Sequence, residues 1–147
     1  MNVQSTSQSN DTYGISILEK ENGYSEFSTK IITTQEELAG FIDEVENQPY
    51  WNNKAVFLNV MSTLNINFQV SNLLLIRHTE GSGSTRVEAN LKVEGNNVSV
   101  LVNCQRPDIG TCDMAYYCFG YVVPKNAGNS VECNNSSNRE EFVYTLK

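Results

Sequence analysis

The feature that most narrows the fold is strict alternation between residues 86 and 104. Val87, Ala89, Leu91 and Val93 fall on one side of a two-residue period, with Arg86, Glu88, Lys92 and Glu94 opposite or flanking. Gly95, Asn96 and Asn97 interrupt the run, and Val98, Val100, Val102 and Cys104 resume it. Successive side chains of a strand point to opposite faces, so this pattern buries one face only as β-structure. A Gly/Asn turn between two such runs is the signal of an antiparallel hairpin. Its apolar face then needs a second layer to cover it.

The remaining segments supply candidates for that layer. Residues 13–19, 27–32, 55–61, 72–78, 115–123 and 142–146 read as further strands, those at 55–61 and 72–78 as short apolar runs buried on both faces. One helix is expected over residues 34–46. Thr34 and Glu37 have the capping-box spacing, Leu38, Phe41, Ile42 and Val45 line one helical face, and Gln48-Pro49 closes it. Residues 81–84 and 134–138 read as polar, flexible loops. At 147 residues the chain is long enough for one core without covalent staples. The expectation is a β-dominated α+β domain over residues 13–147, behind a polar tail at 1–12. It has one early helix packed on an antiparallel sheet or sandwich of about seven or eight strands.

Charge excludes several partners. Ten Lys and Arg against seventeen Asp and Glu give a net charge of −7, the wrong sign for nucleic acid or an anionic membrane surface. No apolar run approaches the roughly 18 residues of a membrane span. The polar N-terminus is not a signal peptide, and reads as the start of a mature exported chain or as a tether behind a removed signal or lipid anchor.

Four cysteines, Cys104, Cys112, Cys118 and Cys133, sit in one stretch of chain. Turn signals near Asp108 and over residues 124–128 lie midway between successive pairs. Nested antiparallel turns would thus favour bridges Cys104–Cys112 and Cys118–Cys133, with Cys104–Cys118 and Cys112–Cys133 the next arrangement. Zinc ligands come in pairs two to four residues apart, a spacing absent here, so no metal and no other cofactor is expected. Disulfides imply an extracytoplasmic location, in the periplasm, at the cell surface or secreted.

Catalytic signals are sparse. His78, the lone histidine, reads as a strand-end residue, and neither a nucleophile elbow nor a phosphate loop occurs. Asp108 and Asp113 bracket the turn between the first two cysteines, and a small hydrolase could use such a carboxylate pair. Tyr117, Phe119 and Tyr121 share one face of a strand with Tyr116 and Cys118 on the other, a pattern that fits core packing first. Outward tyrosines together with Trp51 would instead make a carbohydrate-binding module. A non-enzymatic role is the expectation, with these two readings as alternatives.

The order of segments carries a resemblance. Residues 32–38 (Ile-Thr-Thr-Gln-Glu-Glu-Leu) precede Trp51, then an apolar stretch ending in Asn67-Phe68, then the apolar run at 72–76. The Gly81-Ser82-Gly83-Ser84 turn, the hairpin and a closing Tyr121-Val-Val-Pro-Lys125 complete the series. Over about residues 30–125 this resembles the PrcB-like domain family, named for a subunit that stabilises a bacterial surface protease complex. The family's Gly-Gly-Tyr-like turn is Gly-Ser-Gly-Ser here, and Asn67 stands where an Asp is expected. The resemblance implies an exported bacterial domain, in some cases a lipoprotein, that binds a protein partner such as a surface protease. Contacts would come from loops 81–84 and 105–111. The candidate binding residues are Trp51, Gly81, Ser82, Gly83, Ser84, Arg106, Asp108 and Tyr117.

Overall fold

A computed structural model of the chain describes residues 13–17, 27–48, 54–82, 84–111 and 114–147. The tail, Trp51, Gly83, Cys112 and Asp113 lie outside the described residues. Among the described residues, eight strands form two four-stranded sheets. β1 (Tyr13–Ile17), β2 (Lys30–Ile32), β3 (Ser71–Glu80) and β6 (Ala115–Pro124) make the first, in the order β1-β6-β3-β2. β4 (Arg86–Glu94), β5 (Asn97–Gln105), β7 (Val131–Asn135) and β8 (Glu141–Leu146) make the second, in the order β4-β5-β8-β7. Every pairing is antiparallel. The fold is β-dominated α+β, as the alternation required.

Strand parity assigns the layers. Leu74 and Ile76 on β3, and Tyr117, Phe119, Tyr121 and Val123 on β6, meet Val98, Val100 and Val102 on β5 and Phe142, Tyr144 and Leu146 on β8. These residues are the filling of a sandwich. Leu73 and Leu75, one residue out of phase, face the other way with Cys118 and Val122. There they meet Leu38, Phe41 and Val45 of α1 (Gln35–Glu46) and Phe57 and Met61 of α2 (Lys54–Ser62). Among the described residues, the first sheet is thus covered on both faces and the second on one. The unbroken burial of residues 71–76 against the clean alternation of β5 is the direct consequence.

Local chemistry sets the boundaries. The Thr34 side chain accepts from the Glu37 backbone N–H at 3.0 Å, the forward half of the expected capping box. The return arm goes one residue further, with Glu37 Oε1 accepting from both the N–H (2.7 Å) and the hydroxyl (2.6 Å) of Thr33. Gly95 takes φ 63° in the two-residue turn that pairs Glu94 with Asn97, which is why the hairpin needs glycine there. Gly128 has φ 131°, and a Cβ at this position would run into the Lys147 backbone.

Three expectations change. Residues 55–61 were expected as a strand and are helical in α2. Phe57 and Met61 are buried at an i, i+4 spacing while Val56 is 60% exposed, a pattern a strand buried on both faces would not give. Short apolar runs carry no periodicity that separates the two states. Asn134 and Asn135, expected in a loop, are ladder residues of β7 opposite Val143 and Phe142. The cysteine turns are not hairpin turns either. β5 and β6 belong to different sheets, and so do β6 and β7, so each connection crosses the sandwich. Accordingly the Cys118–Cys133 bridge is not formed. Cys118 is buried on the helix-facing side of the first sheet, while Cys133 is an exposed thiol on the edge strand of the second. Cys104 is likewise unbridged, and its expected partner Cys112 lies outside the described residues.

Candidate functional site

At one end of the sandwich the inward parity of β3 runs on from Leu74 and Ile76 to His78 and Glu80. The inward parity of β5 runs on from Val102 to Cys104 and, just past the strand, Arg106. The two sheets therefore bring four polar groups together where apolar filling stops. The Arg106 guanidinium grips Glu80 with both prongs, Nε to Oε1 at 2.8 Å and a terminal nitrogen to Oε2 at 2.9 Å. Its other terminal nitrogen donates to the Arg139 carbonyl at 2.8 Å. Glu80 Oε2 lies 2.6 Å from His78 Nε2, and the same ring nitrogen lies 3.2 Å from Cys104 Sγ. His78, Glu80 and Cys104 are all buried, and Arg106 stands at the edge with 36% of its side chain exposed.

Burial and partners set the charge states. Burial pushes the Glu80 carboxyl up, but the Arg106 guanidinium and the His78 ring outweigh it and hold the group below the usual carboxylate range. Burial lowers His78 and is only partly offset by Glu80, so the ring is neutral. Burial, reinforced by the Glu80 charge, raises the Cys104 thiol to about 12. The cluster holds a cysteine, a base and an acid, yet it is not wired as a relay. A relay uses one imidazole nitrogen toward the nucleophile and the other toward the carboxylate. Here both partners meet Nε2, and the thiol is protonated at neutral pH.

Beside this cluster Gly81, Ser82 and Ser84 follow β3, and the structure makes them neighbours of the loop at 105–111. Ser82 Oγ accepts from the Thr111 N–H at 2.8 Å, lies 3.1 Å from the Thr111 hydroxyl and 2.8 Å from the Ser84 hydroxyl. A Cβ on Gly110 would come within 2.9 Å of that Ser82 oxygen, so the two loops lie in close contact. Gly81 and Ser84 are exposed at the same place, and Asp108 is exposed on the far loop. The tip of that loop presents Ile109 at 88% exposure, with Met114 half-exposed where the chain returns to the sheet.

Of the other sequence candidates, Tyr117 moves to the interior. It stacks parallel to Phe119 with centroids 6.5 Å apart and lies within the sandwich filling, so it offers no outward face. Tyr121 is buried beside it, and Tyr116 is covered by the Arg77 guanidinium 4.7 Å from its ring. The tyrosine platform of the carbohydrate reading is therefore not present on β6, and Trp51 lies outside the described residues. Asp113, half of the hydrolase pair, does too.

Sequence reasoning missed Glu80, the inward orientation of His78, and Ile109. Parity could have found the first two, since residues 74, 76, 78 and 80 share a face. Ile109 carried no signal, because a single apolar residue in a turn is ordinary.

The opposite end holds a polar cleft of about 960 Å³. Thr34 and Glu36 at the α1 start, Asn67 and Gln69, and Asn126 and Lys147 line it. Lys125 Nζ crosses its floor, donating to Asn72 Oδ1 at 2.7 Å and to the Thr33 carbonyl at 3.0 Å. None of the described helices is long and apolar enough to cross a membrane. Compared with protein-family models, with curated proteins and with solved structures, the chain gives no match. The PrcB-like resemblance thus rests on the sequence motifs alone.

Proposed function

We propose that this chain is a non-catalytic, exported bacterial domain of the PrcB-like kind that binds and stabilises a protein partner, with a surface protease as the first candidate. The observation that carries the reading is the paired loop end. Two short loops are fastened to one another through Ser82 and hold Ile109 out into solvent on a base anchored by the Arg106–Glu80 pair. An apolar anchor on a pre-ordered loop is what a protein interface uses, because little conformational entropy is lost when it docks. With Cys118 and Cys133 not bridged, the exported location is supported by the family resemblance.

A photo-crosslinking residue placed at position 109, and separately at the exposed Lys92 on the hairpin, tests this in the native cell envelope. The reading expects one dominant protein adduct from position 109, absent from position 92 and competed away by unlabelled chain. Ile109→Asp should weaken capture of that partner at least tenfold. Equal adduct patterns from the two positions would remove the loop end as the binding surface.

A further inference from the structure

The cluster under the loops contains a donor set of which the binding role uses only Glu80, as the anchor of Arg106. We propose that His78, Glu80 and Cys104 form a site for one divalent cation of the zinc type.

Three different metal-binding atoms, imidazole Nε2, a carboxylate oxygen and a thiol sulfur, lie within 4.8 Å of one another. They come from two strands in two sheets, so the fold rather than local sequence assembles them. Zinc holds sulfur at about 2.3 Å and nitrogen or oxygen at about 2.0–2.2 Å, which places tetrahedral neighbours ~3.3–3.6 Å apart. The separations here are 2.6 Å from Nε2 to Oε2 and 3.2 Å from Nε2 to Sγ. The third separation, from carboxylate to sulfur, is within 4.8 Å, so the tetrahedral spacing is reached by side-chain shifts of about an ångström.

The surroundings suit an ion. Arg106 binds both oxygens of Glu80 and thereby orients the carboxylate as an outer partner, while Oε2 keeps a second lone pair toward His78. A second observation points the same way. Thr85 Oγ1 is buried and has no hydrogen-bond partner among the described residues. Thr85 continues the inward parity of Val87, which lies opposite Cys104, and extends the register to a place opposite Arg106. A water completing the coordination of an ion held by three protein donors would give this orphan hydroxyl a partner. Thiolate with imidazole selects zinc-type ions over magnesium or calcium. Binding exchanges the Cys104 proton for the cation and moves the remaining ring proton of His78 to Nδ1, so one proton leaves per ion bound.

The full, untagged chain, reduced and stripped with a chelator, is titrated with Co2+ alone. The proposal expects saturation at one ion per chain and a thiolate-to-cobalt charge-transfer band in the near ultraviolet. Stoichiometric Zn2+ should displace the cobalt. Cys104→Ser removes the band and lowers affinity on the order of 100-fold or more, beyond the usual effect of losing an outer partner. Cys133→Ser, which changes the exposed thiol, leaves band and affinity intact. No band in the wild-type chain, a band that survives Cys104→Ser, or one lost in Cys133→Ser overturns the assignment. Should Cys104→Ser fail to fold by circular dichroism, His78→Gln decides, and unchanged cobalt affinity in that variant overturns it equally.

Discussion

At one end of the sandwich Arg106 reaches from the end of β5 to Glu80 on β3 and to the Arg139 carbonyl before β8, tying the two sheets together. At the other, Lys125 reaches from the end of β6 to Asn72 on β3 and to the Thr33 carbonyl ahead of α1, tying the first sheet to the helical layer. Each end is closed by one cation, but their acceptors differ. Glu80 is a charged group with only 5% of its side chain exposed, whereas Lys125 meets a neutral amide and a backbone carbonyl. A buried charge left without its partner costs far more than a neutral acceptor left without its donor. The two ends should therefore fail unequally.

Removing Arg106 should have the largest effect. In the chelator-stripped chain, Arg106→Ala strands the Glu80 carboxylate between the sheets with only a neutral imidazole nearby, and should cost about 3–5 kcal/mol in urea unfolding. A loss under about 1 kcal/mol would mean that water reaches Glu80 and that the pair is a surface feature. The same end should be the acid-sensitive one. Glu80 titrates lower in the folded chain than in the unfolded one, so its contribution is present above the ordinary carboxylate range and is lost as pH falls through the folded value. His78 is also lowered by burial, so the unfolded chain takes up its proton first and stability begins to fall below about 6.5. Glu37 at the cleft end is lowered too, chiefly by the Thr33 hydroxyl, but it is exposed and contributes less. In a melting-temperature profile of the chelator-stripped chain from pH 7.5 downward, His78→Gln should flatten the upper part of the decline and leave the lower, carboxylate part. An unchanged profile would place the acid sensitivity elsewhere.

Lys125→Met comes next, with an expected loss of about 1 kcal/mol, the usual size for a hydrogen bond to a neutral acceptor. The methionine keeps the stem that packs along the cleft floor, so the change isolates the amine. If this variant matched Arg106→Ala, the contrast between a charged and a neutral closure would be wrong.

The same contrast separates what the sequence could show from what it could not. Strand positions were legible wherever one face is wet. The 86–104 hairpin follows from alternation alone, and the α1 cap from Thr34 and Glu37. Where a run is short and mostly apolar, the period is lost, and α2 was read as a strand because Ala55 to Met61 holds a single polar residue, Asn59. The cysteine pairing failed for a topological reason. Turn symmetry is informative within one sheet, and both turns cross between sheets. The buried cluster was hidden for the same cause. His78 and Cys104 stand 26 residues apart, and only the stacking of β3 on β5 makes them neighbours.

Ile109 should show the smallest effect on stability and the largest on binding. At 88% exposure it buries almost no apolar area in the free chain, so Ile109→Ser should change unfolding by no more than about 0.5 kcal/mol. The loop itself is held by Ser82, through the Thr111 N–H and hydroxyl, and that anchoring does not involve the isoleucine side chain. A stability loss above about 1 kcal/mol would show that Ile109 packs against the domain in solution and is unavailable to a partner. A neutral effect together with lost capture of the crosslinked partner would separate recognition at the tip from the structural closure beneath it.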